Sequence, residues 1–228
     1  MLENPRWGFI DIILVYLGIM GVTILATLLP IPGMSEKGFY LYSYLVQFTA
    51  TMVFVYLFAV LRPRGEWRDL GVRKARLQDI GLYGLIGGSL LIILVLVLGL
   101  VLKYFQPNLA PQPFEEMLRS GTHLYQFIII VFAGVVLAPI SEELFYRGMI
   151  YPLFRKHLGR GGGALLAGLV FGLAHWDLWR AIPLAIGGAA LCYIYEKSDS
   201  ILVPMVAHGV WNGFMCLIIY LSIFKGLV

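Results

Sequence analysis

Charged side chains are scarce in this sequence. They make up 13% of its 228 residues, about half of the roughly 25% that is typical of a soluble domain. Hydrophobic residues make up 60%, and the mean hydropathy is +0.84. Such a chain has too few polar groups to cover a water-facing surface. This composition excludes an ordinary soluble domain and predicts a polytopic membrane protein.

Cysteine is also rare, with Cys192 and Cys216 each lying inside an apolar run. Their number and spacing exclude a disulfide framework and a C-x-x-C site, so we predict reduced packing residues. The net charge is only +4, and the basic residues fall in loops between apolar runs. That distribution favours a signal for membrane topology, and no nucleic-acid partner is predicted.

Apolar runs long enough to cross a bilayer, which needs about 20 residues, recur along the chain. We predict an all-α, multi-pass transmembrane helical bundle of about seven spans: 9–29, 39–61, 80–102, 124–156, 163–175, 179–195 and 201–224. The fourth run is too long for one untilted span, so we expect it to project into water or to bend at Pro152. Residues 159–163 are predicted to form a flexible turn, and Gly87 and Gly88 to allow close helix contact.

The basic residues also predict the orientation in the membrane. With a cytoplasmic N-terminus, the inside loops hold eleven Lys and Arg residues, including the cluster in 62–76, and the outside loops hold five. This excess of positive charge predicts that the N-terminus is cytoplasmic and the C-terminus is outside.

Two adjacent acids interrupt the fourth span in the stretch 139–148. An ionised group at that depth costs several kcal/mol on insertion scales, so an intramembrane acid indicates a functional site. Glu143 and Arg147 are four residues apart and can pair on one helix face. Glu142 is rotated by about 100° from that face. We therefore predict a structural ion pair between Glu143 and Arg147, with Glu142 facing a different surface.

Two later spans carry polar side chains at comparable depths. His175 ends the fifth span, and His208 and Asn212 share a face of the seventh. At about 1.5 Å per residue, these side chains and Glu142 fall in overlapping layers of the membrane. The set suits hydrolysis, because a carboxylate can take a proton from water and an amide can stabilise an oxyanion. Alternatively, Glu142, His175 and His208 are a zinc-compatible ligand set with an open position.

Each of these residues also has a simpler explanation. A single buried His or Asn is more often a hydrogen-bonding partner between membrane helices, and the pair Glu143–Arg147 suits a purely structural role. Tryptophan and tyrosine side chains suit interfacial belts or core filling. The functional hypothesis rests on the joint occurrence of the polar residues.

Together these residues resemble the CPBP family of intramembrane proteases, which includes the CAAX prenyl endopeptidases and bacterial relatives linked to bacteriocin processing or self-immunity. The family pattern EExxxR, FxxxH, HxxxN occurs in order, as Glu142-Glu143…Arg147, Phe171…His175 and His208…Asn212. The motifs lie in the C-terminal half. The resemblance implies a helical fold with a conical cavity, Glu142 as the residue that activates water, His175 as its partner, and His208 and Asn212 as oxyanion stabilisers.

The resemblance further implies a hydrolase that is conventionally classed with metalloproteases, acting either without a metal or with a divalent ion such as zinc. The predicted function is an intramembrane endopeptidase whose substrate is a membrane-embedded or lipid-anchored peptide or protein, in a prokaryotic cell membrane. The alternatives are a non-catalytic scaffold or self-immunity protein, and a small transporter, against which the lack of a duplicated half argues. We expect residues 1–123 to hold the N-terminal helices and the basic loop, and residues 124–228 to form the catalytic core.

Overall fold

The computed structural model describes residues 4–29, 31–119 and 124–225, and every regular element in those ranges is a helix. The all-α prediction is therefore confirmed. The predicted division at residue 123 and the C-terminal residue, Val228, lie outside the described ranges. The helices are α1 (Phe9–Leu28), α2 (36–61), α3 (Leu77–Phe105), α4 (Pro113–Arg119), α5 (124–158), α6 (160–173), α7 (Leu178–Ser198) and α8 (Leu202–Lys225), with a short 3-10 turn at Trp67–Leu70.

Six helical stretches within the described ranges are long and apolar enough to cross a membrane. The fourth of them, Leu124–Leu173, runs for 50 residues, which as one straight rod would measure about 75 Å, more than twice the hydrocarbon thickness of a bilayer. It comprises α5 and α6. Large apolar side chains are exposed along the outer faces of the bundle. The chain is an integral membrane protein.

The long stretch breaks at Gly159, where φ is +71° and ψ is −178°. This region of backbone space is essentially restricted to glycine. The chain then doubles back. The close contact between Gly163 and Arg155 shows this, since a Cβ atom on Gly163 would lie 2.7 Å from the backbone of Arg155. The break divides the stretch into two helices, so the part of the chain that the structure describes contains seven long helices, in agreement with the predicted number of about seven. The turn is closely packed at Gly163 rather than open.

The bend expected at Pro152 is not observed. The backbone angles of α5 stay helical there and leave the helical region only at Gly159. Pro152 follows directly on a wide π-helical segment, Glu143–Ile150. Local π-helical winding of this kind gives new partners to the backbone groups that proline, which has no N–H, leaves without a hydrogen bond. This explains why the helix continues.

Glycines allow the close approach of helices that carry the polar residues. A Cβ atom on Gly172 of α6 would lie 2.3 Å from the carbonyl oxygen of Ala181 in α7. On α3, a Cβ atom on Gly88 would lie 2.7 Å from the carbonyl oxygen of Ala207 in α8. Small residues at such contacts let helix backbones pack directly against each other. The close contact predicted for Gly87 and Gly88 is therefore confirmed at Gly88.

Charged residues hold the end of the bundle near the Gly159 break. Glu196 on α7 accepts a hydrogen bond from the hydroxyl of Tyr151 at 2.8 Å. It also pairs with Arg155, and its Oε2 lies 3.2 Å from Nε of Arg160. One carboxylate thus joins α5, α6 and α7 at the end opposite His175.

Candidate active site

The helix α5 carries both acids of the motif and changes its winding around them. Wide π-helical segments occupy Ala133–Leu137 and Glu143–Ile150. Such segments are rare in proteins overall, and those that occur are often found at functional sites. The Glu143 side chain is fully buried, whereas the Glu142 side chain is 30% exposed and faces open space. The two neighbouring carboxylates therefore lie in different environments.

Glu143 is the centre of a buried polar cluster. Nη1 of Arg147 donates to its Oε1 at 2.7 Å, and Nδ1 of His208 lies 2.8 Å from the same oxygen. Arg147 also donates to the carbonyl oxygen of Gly188 at 3.1 Å and lies over the ring of Phe171, 4.6 Å from its centroid. The arginine offsets the buried negative charge, and the cluster joins α5, α6, α7 and α8 at one point.

The contact with Glu143 determines which His208 nitrogen carries a proton. A carboxylate paired with arginine only accepts hydrogen bonds, so Nδ1 of His208 donates. In the neutral ring the other nitrogen, Nε2, then carries a lone pair. This atom lies 3.8 Å from Oε2 of Glu142. His208 is therefore held by one motif acid while its free edge faces the other.

His175 is positioned by the end of α6. Its Nδ1 lies 2.8 Å from the carbonyl oxygen of Phe171 and donates to it, because a carbonyl only accepts. Its Nε2 is consequently the free nitrogen. The next residue, Trp176, has φ of +56°, so the helix ends there and the chain turns toward α7. The ring of His175 packs edge-on against Phe171, with centroids 4.8 Å apart.

Asp177 begins α7 as its N-cap. The side chain accepts hydrogen bonds from the backbone N–H groups of Trp179 and Arg180, at 3.1 and 3.0 Å, and pairs with the Arg180 side chain. Partial burial acts to raise the pKa of Asp177, but the hydrogen bonds and the charge of Arg180 outweigh it, and the pKa is lowered. Arg180 also donates to the carbonyl oxygen of Ala110 at 2.6 Å.

Asn212 is held by the other wide segment of α5. Its Nδ2 donates to the carbonyl oxygen of Gly134 at 2.8 Å. The hydroxyl of Tyr44 donates to the neighbouring carbonyl of Ala133 at 3.1 Å. An amide group has two N–H bonds, so Asn212 retains one for another acceptor.

Two adjoining cavities meet at these residues. The first has a volume of about 870 Å³ and is lined by Glu142, His175, His208 and Asn212 among others. The second, of about 520 Å³, extends between α1, α2 and α5 and is also lined by Glu142 and His175. All four predicted catalytic residues thus border one cavity, and two of them border both.

The zinc-compatible set is not assembled. Within the ranges described above, no three His, Cys, Asp or Glu side chains are grouped so that they could hold a metal ion. Glu142, His175 and His208 line one cavity, and Nε2 of each ring is free, but the three side chains are not grouped closely enough to form a ligand set. As placed, these three side chains do not fit a bound metal ion.

Residues of the N-terminal half also form the site. Tyr40 and Tyr44 of α2 and Phe114 of α4 line both cavities. Tyr44 thus shares the lining of both cavities with Glu142, a position that the expectation of interfacial belts or core filling for tyrosines does not specify. No motif marks these positions, and their spacing resembles that of any apolar helix. Only the packing of α2 and α4 against α5 reveals them.

Comparison with known proteins supports the family that the motifs indicate. Residues 124–214 match the family described as Type II CAAX prenyl endopeptidase Rce1-like. Among relatives, the chain is 24% identical over 87 residues to YdiL of Bacillus subtilis, which is named as a candidate membrane peptidase; the match covers 38% of this chain and 36% of YdiL. It is 27% identical over 140 residues to the membrane-embedded CAAX protease MroQ of Staphylococcus aureus, covering 58% of this chain and 56% of MroQ.

A third relative, an uncharacterised 24.3 kDa protein of Escherichia coli, is 25% identical over 167 residues, covering 71% of this chain and 75% of the relative. The match thus spans about a third of YdiL and about half of MroQ. No solved structure matches the chain. The resemblance predicted from the three motifs is confirmed, because residues 124–214, which contain all three motifs, match the Rce1-like CAAX prenyl endopeptidase family.

Proposed function

We propose that this protein is an intramembrane endopeptidase in which Glu142 activates water. One observation carries the proposal: Glu142 is the open carboxylate at the junction of two cavities, with Nε2 of His208 3.8 Å from it. A carboxylate in that position can reach a water molecule and a peptide bond at the same time, as a general base requires.

In the proposed reaction, Glu142 accepts a proton from water as the water oxygen attacks the peptide carbonyl carbon. Asn212 donates its remaining N–H to the resulting oxyanion. His208 joins it from Nε2 when its ring is protonated on both nitrogens. Glu142 then returns the proton to the amide nitrogen as the C–N bond breaks, which gives a carboxylic acid and an amine. His175, through its free Nε2, holds the attacking water.

Peptide hydrolysis by the purified protein tests this proposal. The wild-type chain in detergent micelles is mixed with synthetic apolar peptides, and the products are identified by mass spectrometry. Asn212→Ala is expected to lower kcat by about 10²–10³-fold, the usual effect of removing one oxyanion donor. His175→Ala is expected to lower it by at least about 10²-fold, as the loss of proton-transfer assistance does.

Glu116→Gln is the matched control, since Glu116 is an exposed acid of α4 that lines neither cavity. Wild-type kcat in the Asn212→Ala and His175→Ala proteins would contradict the proposal.

A non-catalytic scaffold or self-immunity protein is the second candidate. The observation that favours it is the buried cluster itself, because Arg147 and His208 both bond to Glu143, which would stabilise the bundle without any chemistry. A scaffold would yield no peptide products, and the substitutions at Asn212 and His175 would leave its partner binding unchanged.

We further propose that the protein lies in a prokaryotic cell membrane with a cytoplasmic N-terminus, and that residues 124–228 form its catalytic core. The substrate class, a membrane-embedded or lipid-anchored peptide or protein, is also proposed, with support from the similarity to MroQ, a membrane-embedded CAAX protease. A topology reporter fused after Val228 is expected to be active only outside the cytoplasm. Activity inside would contradict the orientation.

A further inference from the structure

The wall between the two cavities contains two of the four candidate catalytic residues, Glu142 and His175. Six residues line both cavities: Tyr40, Tyr44, Gln112, Phe114, Glu142 and His175. Phe114 reaches this wall from α4, and its ring occupies the space beside Gly134, within 2.3 Å of where a Cβ atom would lie. One cavity therefore lies on each side of Glu142, and Phe114 lines both of them.

The two cavities differ in their linings. In the first, alkyl side chains of α3 and α8 such as Val95, Leu96 and Met215 form the wall, and Lys103 and Arg180 stand among them. In the second, the described lining residues include no lysine or arginine, and Glu142 is the one acid among them. Hydroxyl and amide groups, among them Tyr16 and Gln47, supply its polarity.

From this division we infer that the substrate chain occupies both cavities at once, so that the protein cleaves an internal peptide bond and accepts no acidic residue on the side that enters the second cavity. The inference rests on the proposed hydrolysis at Glu142. A terminal trimming enzyme needs room for a longer stretch of chain on one side of the bond only, because the other side holds just the terminal residue that it removes. Here each cavity lies within the 300–1,000 Å³ range that is typical of ligand sites. Burying an acidic side chain in the second cavity would be unfavourable, because no lysine or arginine among the described lining residues would pair with it.

Two positions allow each cavity to be filled separately. On α3, Gly99 lines the first cavity and has open space around its Cβ position. On α1, Thr23 lines the second, and its hydroxyl bonds only to the carbonyl of Ile19 in its own helix. Gly81 of α3 and Gly21 of α1 also have open space but line neither cavity. The test variants are thus Gly99→Phe and Thr23→Phe, and the controls are Gly81→Phe and Gly21→Phe.

The experiment begins with a library of short, uncharged, end-capped peptides in detergent micelles, from which the best-cleaved peptide and its cleaved bond are identified. Two shortened peptides are then made, each retaining a single residue on one side of that bond. Each cavity-filling variant is expected to lower kcat/KM for the full peptide by about 10- to 100-fold, the effect of losing the burial of one apolar side chain. Each cavity-filling variant is expected to cleave one of the two shortened peptides as well as the wild type does, namely the peptide that lacks the residues occupying the filled cavity. The two variants should therefore differ in which shortened peptide they leave unaffected.

A result in which only one filling variant lowers kcat/KM, or in which one shortened peptide is cleaved as well as the full one, would overturn the inference. A binding arm requires no turnover: the Glu142→Gln protein is crosslinked with library peptides carrying a benzophenone group at either end. Crosslinks to both α1 and α3 are expected, and crosslinks to one side alone, or none, would overturn the inference. Wild-type turnover in Glu142→Gln would instead refute the proposed function, whichever cavities the peptides occupy.

Discussion

Nδ1 of His208 lies 2.8 Å from Oε1 of Glu143, and the same oxygen accepts a hydrogen bond from Arg147 at 2.7 Å. The sequence predicts the pair Glu143–Arg147 but not the contact with His208, which lies 65 residues further along the chain. Glu143 therefore orients a residue of the cavity as well as neutralising the arginine. The two adjacent acids of the motif have separate positions, one inside the cluster and one facing the cavities.

The first prediction concerns the protonation of His208. Because Nδ1 donates to Glu143, a neutral ring should carry its proton on Nδ1 and a lone pair on Nε2. Nitrogen-15 NMR of the histidine-labelled protein should show this tautomer, with the signal assigned by its disappearance in His208→Asn. In Glu143→Gln the amide oxygen can still accept, so the tautomer should persist. A neutral ring protonated on Nε2 would contradict the observed contact.

The second prediction concerns the ion pair. Arg147→Ala leaves the buried Glu143 charge uncompensated, which typically costs about 3–5 kcal/mol, and the melting temperature in detergent should fall markedly. Arg119→Ala is the matched control, because Arg119 pairs with Glu115 at the same i,i+4 spacing but with both side chains partly exposed. Exposed pairs contribute about 0–1 kcal/mol. Equal melting temperatures for the two variants would show that the buried pair is not structural.

Much of the fold follows from residue patterns, and the reason is the membrane. The apolar runs at 9–29 and 201–224 are observed as helices Phe9–Leu28 and Leu202–Lys225, since a chain in lipid must satisfy its backbone hydrogen bonds internally. Pairing at i,i+4 is equally local, so Glu143–Arg147 could be predicted. The contribution of Phe114 and Tyr44 could not, because it depends on how α2 and α4 pack against α5. The break at Gly159 rather than Pro152 depends on the wide segment Glu143–Ile150, which no local rule indicates.

The third prediction concerns the turn between α5 and α6. Gly159 has φ of +71°, so Gly159→Ala forces an L residue into a backbone region that costs about 1–3 kcal/mol, and the melting temperature should fall. Gly161→Ala is the control, because Gly161 lies two residues away with a negative φ and open space around its Cβ position. Alanine there should be neutral or stabilising. Equal effects of the two substitutions would contradict the observed break.

The fourth prediction concerns pH. The pKa of Asp177 is lowered in the folded protein, since hydrogen bonds from Arg180 and Trp179 outweigh partial burial. The cap therefore stabilises the fold fully above the ordinary aspartate pKa of about 3.9, and the ionic part is lost as the pH falls through the lower folded pKa. Asp177→Ala should cost about 1 kcal/mol at neutral pH.

Melting temperatures of the wild type and Asp177→Ala should converge as the pH is lowered through that range. Asp177→Asn provides the comparison, because asparagine caps a helix without a titrating charge. The difference in melting temperature between Asp177→Asn and Asp177→Ala should not change with pH. If the melting temperature of the wild type rose relative to that of Asp177→Ala on acidification, this would contradict the lowered pKa of Asp177.

The central claim is that the open acid, Glu142, performs the chemistry, and its most direct test is the turnover number of Glu142→Gln. Glutamine keeps the shape and hydrogen-bonding capacity of the side chain but cannot accept the proton of water. At an unchanged melting temperature, kcat for the best library peptide should fall by at least about 10²–10⁴-fold, the usual contribution of a general base. Wild-type kcat in Glu142→Gln would contradict the claim and favour the scaffold.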